Sequence, residues 1–306
     1  MDRLEIIMKL ICKDVRTRSE ALHFVMQCEE DFVSKVRSAA KEILDRDNRI
    51  ITLSGPTCSG KTTTAALIVD EIEKRGHRAI VVSIDDFYLD NLREETDGKK
   101  IDFDSVKTID LEYFAEFVSD IEAGRTLRIP KFNFMTGRRE GYRELLPESG
   151  DIFIFEGIQA VYPEVTALFG DRYTSVFICI SDEVMCNGVY FSSHEVRLLR
   201  RIVRDVLFRN TSPHKTLAYW SSVRANEEAS IFPNAENPDF LIDSFLLYEL
   251  FMIAPYALPL IAEVTEDSAE YQTALSLKLR LEKLLNENYT TDLIPELSMF
   301  REFVGK

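Results

Sequence analysis

Residues 49–64 read RIITLSGPTCSGKTTT, and within them Gly55-Pro56-Thr57-Cys58-Ser59-Gly60-Lys61-Thr62 fills the pattern G-x-x-x-x-G-K-[ST] of a phosphate-binding loop. The chemistry needs these residue types. Gly55 and Gly60 permit backbone conformations and close approaches that a side chain would forbid. The loop amides then point inward as a nest for anionic oxygens, at the positive end of the following helix. Lys61 would reach the β- and γ-phosphates, and the Thr62 hydroxyl would take one position on Mg²⁺. The flanks are in the required order. Ile50-Ile51-Thr52-Leu53 is a short β-rich run, and residues 63–75 carry Ala65, Ala66, Ile68, Val69 and Ile72 at helical spacing before Gly76 stops the helix. Strand, loop and helix together separate a nucleoside triphosphate site from a Gly/Ser-rich turn, and Thr63 is expected to join the loop in binding the nucleotide.

Outward from the loop, apolar runs alternate with helical patterns. Residues 79–84 (AIVVSI) read as a continuous apolar strand of a sheet covered on both faces, ending in Asp85-Asp86-Phe87-Tyr88. A polar stretch follows at 91–100, with Asp97-Gly98 as a turn signal. Asp110 is placed as a helix N-cap before Phe114, Phe117, Val118 and Ile121, with Gly124 as the stop. Residues 127–130 are extended, and 131–142 (KFNFMTGRREGY) are aromatic and basic with two glycines. Residues 151–155 and 173–180 are further buried strands, 195–209 an arginine-rich helix, Ser212-Pro213 the start of the next helix, and 239–242 a short last strand. The expected fold is α/β, a doubly wound parallel sheet with helices on both faces. The expected organisation is a helical extension over 1–47, a core built around the phosphate loop over 48–245 with a lid-like region near 185–212, and a helical extension over 246–306. The last carries Ala274, Leu277, Leu281, Leu284 and Leu285 as one stripe.

The bulk numbers limit the class. A chain of 306 residues that is 45% hydrophobic and 29% charged has the composition of an ordinary globular protein. With 37 Lys and Arg against 52 Asp and Glu, the net charge of −15 argues against a general binder of nucleic acid or anionic membranes. Cys12, Cys28, Cys58, Cys179 and Cys186 show no Cys-x-x-Cys spacing, as in a reduced cytoplasmic protein. Met1 to Glu5 lack the layout of a signal peptide, and no run of about 18 apolar residues suggests a membrane span.

In such sheets ligands gather at the carboxyl ends of the strands, where Asp85, Asp86 and Glu156 fall. A carboxylate near a γ-phosphate can hold Mg²⁺ or accept a proton from an attacking hydroxyl. Arg197, Arg200, Arg201 and Arg204 fall at spacings that put them on one helical face, with Arg209 further on. Like charges so placed repel unless an anion sits among them, and a polyphosphate in transfer is a suitable one. Phe132, Phe134 and Tyr142 are candidates for the wall of a substrate pocket or for core. His23, His77, His194 and His214 show no metal-ligand spacing.

GPTCSGKTTT, SIDDFY, Phe103-Asp104, RIPKFNF, FEGI at 155–158 and RRIVRD at 200–205 stand in the order found in uridine kinases, which belong with phosphoribulokinase-like P-loop kinases. The resemblance covers roughly 48–245, and the later stretch is similar to longer bacterial proteins of that group. It implies that Asp85 is the base near a nucleoside 5′-hydroxyl, with Tyr88 beside the sugar, Asp104 on the ribose hydroxyls, and Phe103 and Phe134 around the base. Thr62, Glu156 and Asp85 would serve Mg²⁺. Lys61, Arg201 and Arg204 would act on the transferring phosphate, Arg200 and Arg209 on the nucleotide, and Arg197 and Arg201 toward the substrate. The chain departs from the family where a tyrosine and a histidine read the pyrimidine: it has Phe132 and, by spacing, Gly137.

The resemblance implies an ATP- and Mg²⁺-dependent kinase that phosphorylates a primary hydroxyl of a small molecule, most simply a nucleoside such as uridine or cytidine. A kinase for a sugar, sugar phosphate or other polyol is the alternative in the same class. A nucleotide-binding regulator with weak ATPase is the alternative in another. The expected partners are a small hydroxyl acceptor and no nucleic acid or membrane, and a homo-oligomer is compatible with this reading.

Overall fold

The computed structural model describes residues 8–11, 15–90 and 103–305. The expected turn at Asp97-Gly98, the polar stretch around it and Cys12 lie outside them. Strand β1 (Met8–Ile11) precedes helix α1 (Arg18–Leu44), where Thr17 Oγ1 accepts from Glu20 N at 3.3 Å as N-cap. Then come β2 (Ile50–Ser54), α2 (Lys61–Lys74) and β3 (Ala79–Ser83). Helix α3 (Leu111–Ala123) is capped by Asp110, which accepts from Tyr113 N at 3.0 Å, and ends at Gly124 with φ +63°. Strands β4 (Leu127–Asn133) and β5 (Arg138–Leu145) form an antiparallel hairpin. The chain continues through β6 (Ile152–Glu156), the short α4 (Pro163–Thr166), β7 (Tyr173–Cys179), β8 (Glu183–Cys186) and β9 (Val189–Phe191). Helices α5 (Ser193–Arg209) and α6 (Pro213–Asn226), strand β10 (Phe240–Asp243), and helices α7 (Glu249–Ile261), α8 (Tyr271–Leu281) and α9 (Arg301–Val304) complete it.

Five strands pair in parallel in the order β10-β7-β2-β6-β3, so the strand that feeds the phosphate loop is central. Side-chain alternation divides the core between the two faces. Ile51, Leu53, Ile154, Val176 and Ile178 pack with α1, α2, α5, α7 and the C-terminal residues Phe300 and Phe303. Phe153, Phe155, Ile80, Val82 and Phe177 pack with Phe114, Phe117 and Val118 of α3 on the other face. The doubly wound parallel sheet is therefore present.

Three local expectations are corrected. The run 79–84 is not covered on both faces: β3 is an edge strand, and Val81 is 37% exposed. Residues ahead of α1 are not all helical, because β1 pairs in parallel with β8 in a second, three-stranded sheet. The C-terminal helix is not continuous. After α8 the Asn286 side chain accepts from Asn288 N at 2.9 Å and donates to Val15 O at 2.9 Å, a local turn that competes with helix. Leu285 is accordingly exposed while Ala274, Leu277, Leu281 and Leu284 are buried.

Candidate active site

The loop leaves β2 and crosses the backbone of β7 so closely that a Cβ at Gly55 would lie 2.1 Å from Ile178 O. Gly60 sits at φ +89° against Met299, and Cys58, buried, takes φ +58°. Both guanidinium groups of Arg197 and Arg200 reach the loop from behind. Arg197 Nη1 donates to Thr57 O at 3.2 Å and Arg200 Nη1 to Cys58 O at 3.0 Å. In a planar trans peptide the N–H points opposite the C=O. Holding these two carbonyls back therefore turns the amides of Cys58 and Ser59 the other way, toward the anion nest. Lys61 is half-buried at the start of α2, its Nζ donating to Gly55 O at 2.9 Å and Pro56 O at 3.2 Å. Burial pushes its pKa down, opposed by the charges of Glu156, Glu302 and Asp85.

Asp85 and Glu156 close the other side, on the turn after β3 and at the end of β6. Burial pushes the Asp85 carboxyl up to about 6, with Glu156 adding to the rise and Lys61 and Tyr88 opposing it. Tyr88 Oη lies 3.2 Å from Asp85 Oδ1 and 2.7 Å from Phe103 O, with its one proton to share. Gln159 Nε2 donates to both Tyr88 Oη (3.0 Å) and Phe103 O (2.6 Å). Asp86 plays a different part: its Oδ1 accepts from Phe132 N at 3.0 Å and so fastens the hairpin. The rings of Tyr88, Phe103, Phe132 and Phe134 meet edge-on or tilted, 5.2–5.9 Å apart. Phe132 is buried, while Phe134 is 49% exposed. Asp104 is half-buried, and Asn226 Nδ2 donates to its Oδ2 at 3.1 Å. Gly137 sits in the hairpin turn at φ +70°, donating from its N to Asn133 O at 2.7 Å, where the left-handed backbone favours glycine. Tyr142 is 53% exposed, under the Arg128 guanidinium and apart from this wall.

The arginines do not act as one face. Arg197 makes a buried bidentate pair with Glu227 (2.6 and 2.7 Å), and Arg200 another with Glu249 (3.0 and 2.6 Å). Burial pushes Glu227 up, and its bonds to Arg197 and Arg224 more than offset this, leaving it below the usual range. Arg197, expected toward the substrate, and Arg200, expected on the nucleotide, are each enclosed and bound to a buried carboxylate, and each reaches the loop through a backbone carbonyl. Arg204 donates to Asp205 Oδ1 at 2.8 Å and Arg201 to Asp205 Oδ2 at 3.3 Å. Arg209, 59% exposed in its side chain, lies 3.8 Å from the same carboxylate. Arg201 and Arg209 retain access to solvent.

A nucleoside triphosphate fits this loop. Ser59 Oγ is buried with no protein partner, and Thr62 is exposed at the mouth. Among the described residues no three His, Cys, Asp or Glu groups gather as a metal cluster. Mg²⁺ does not require one, since it takes one or two protein oxygens with waters and substrate phosphates. Thr62, Glu156 and Asp85 supply oxygen donors of that kind. The sequence did not single out Gln159, Asn226 or Glu302. Gln159 stands two residues after the strand-end Glu156-Gly157 and could have been found there, whereas Glu302 comes from far along the chain.

The sequence model of the Phosphoribulokinase / Uridine kinase family matches residues 50–247. The chain belongs to this family. Among curated relatives, Uridine-cytidine kinase C of Dictyostelium discoideum is 27% identical over 71% of this chain and 44% of its own length. Uridine kinase of Ureaplasma parvum serovar 3 is 27% identical over 61% of this chain and 84% of its own. The chain spans less than half the length of the first relatives it matches. A solved D-glycerate 3-kinase from Cryptococcus neoformans var. grubii aligns over 91% of this chain and 90% of its own, with 15% identity and a TM-score of 0.30. Among the described residues no helix is long and apolar enough to cross a membrane. In this Phosphoribulokinase / Uridine kinase family chain, the family region carries the loop, both strand-end carboxylates and the arginine helix.

Proposed function

We propose that the chain is an ATP- and Mg²⁺-dependent small-molecule kinase that transfers the γ-phosphoryl group to a primary hydroxyl, most simply the 5′-hydroxyl of a nucleoside. The observation that carries this is Asp85: a half-buried carboxylate with a raised pKa, set beside the phosphate loop and in contact with Tyr88. Such a group can accept a hydroxyl proton while the loop amides and Lys61 hold the β- and γ-phosphates. Tyr88, Phe103, Phe132 and Phe134 form the acceptor wall, with Asp104 positioned for sugar hydroxyls. Thr62, Glu156 and Asp85 would hold Mg²⁺, which neutralises charge across the β- and γ-phosphates. Arg201, Arg204 and Arg209 are the cations on the donor side, with Arg197 and Arg200 acting through the loop backbone.

A polyol or sugar acceptor is the second reading, and Phe132 and Gly137 favour it. Neither offers a side-chain hydrogen bond to a base, and a site without such a bond discriminates bases weakly. ADP release from ATP and Mg²⁺ against a panel of nucleosides, sugars and polyols separates the two. Stimulation by uridine or cytidine that disappears in Asp85→Asn supports the first reading, and stimulation by a non-nucleoside alone supports the second. ATP binding without any stimulated turnover would leave a nucleotide-binding regulator.

A further inference from the structure

Residues 298–304 lie beyond the region that the family model covers, yet they return to the phosphate loop. A Cβ on Gly60 would fall 2.2 Å from Met299 Sδ. The ring of Phe303 lies 4.8 Å from the Arg200 guanidinium that holds Cys58 O. The segment is firmly seated. Phe300 and Phe303 are fully buried, Ser298 donates to the buried Glu29 at 2.5 Å, and Arg301 donates to Ile294 O at 2.6 Å and Gly305 O at 3.0 Å. From this wall Glu302 Oε2 accepts from Thr63 Oγ1 at 3.2 Å, in the first turn of α2. Its charge is also felt at Lys61 and Arg204.

With Lys61 on the β- and γ-phosphates and Thr62 on the metal, a donor seated as proposed above would bring its α-phosphate nearest Thr63, and what that phosphate carries would pass Glu302. We propose that Glu302 is a specificity-determining residue that selects nucleoside triphosphates over inorganic polyphosphate. The α-phosphate of a nucleotide is esterified, bears one charge, and leads to a neutral ribose that brings no further charge against a carboxylate. The corresponding end of tripolyphosphate is not esterified and brings further negative charge against Glu302. Like charges at short range in a partly buried site are costly. Glu302 has this role only if the loop binds a nucleoside triphosphate, as proposed above.

The test measures binding of ATP and of inorganic tripolyphosphate, each with Mg²⁺, to the full chain by calorimetry. It compares wild type, Glu302→Gln and Glu302→Ala, with thermal melts to show that the variants fold. Wild type should prefer ATP, and both variants should gain about tenfold in tripolyphosphate affinity, ~1.4 kcal/mol, while ATP affinity moves less than about threefold. A preference within about twofold of wild type in both variants would overturn the proposal, as would a preference that falls only because ATP binding is lost. If the wild-type chain binds ATP but prefers tripolyphosphate, the role of Glu302 fails and the nucleotide site stands. If it binds neither, the donor reading falls and this role with it.

Discussion

Asp85 meets two opposed demands. A proton acceptor must be ionised at working pH, yet burial and the neighbouring Glu156 hold its carboxyl up to about 6. The kcat/KM profile should therefore lose activity as pH falls through about 6, and a flat profile down to pH 5 would contradict this assignment. The same shift bears on stability. Because the folded carboxyl titrates above its unfolded value, the folded chain binds the proton more tightly. The ionised form thus costs stability above about pH 6, and the cost is absent below about pH 4. Asp85→Asn should cut turnover by about 10²- to 10⁴-fold. In metal-free buffer at pH 8 it should raise stability by about 1 kcal/mol after allowance for solvent screening, with no gain near pH 4. Thermal melts at the two pH values check the sign. A variant that is less active and equally less stable at both would point to simple damage.

At the scale of elements, α5 shows what local sequence can and cannot say. The helix and its four closely spaced arginines are legible because periodicity is a local property, whereas its start at the Ser192 cap, three residues before the expected one, was not read. Which way Arg197 and Arg200 point is not, because Glu227 and Glu249 decide it, from 30 and 49 positions away. The cap at Asp110, the stop at Gly124 and the strand–loop–helix unit were readable for the same local reason. The edge position of β3 was not, since it depends on sheet order. Arg200→Ala should cost about 3–5 kcal/mol in a urea melt, because it strands Glu249 without a partner in the core. Replacing both, as Arg200→Met with Glu249→Leu, should recover much of that loss. Arg209→Ala should leave stability within about 0.5 kcal/mol and weaken ATP binding. Loss of stability in Arg209→Ala equal to that in Arg200→Ala would contradict the division drawn here.

Across the whole molecule, the contacts that complete the loop come from the far end of the chain. Thr63 and Glu302 are 239 positions apart, and no sequence pattern joins them. Leu250, Phe251, Ile253, Leu277 and Phe300 share one core with Ile51, Leu53 and Ile68. A chain cut after residue 247 should therefore lose cooperative unfolding, read by circular dichroism during heating, because its remaining core face would be left in water. A sharp melt near that of the full chain would show that the family region stands alone. The central claim, phosphoryl transfer to a hydroxyl, is tested most directly by following the label from γ-labelled ATP in the presence of uridine or a stimulating acceptor. Label recovered on the acceptor hydroxyl, and lost from it in Asp85→Asn, is the predicted result. Label found only in inorganic phosphate, at a rate no acceptor changes, would contradict it.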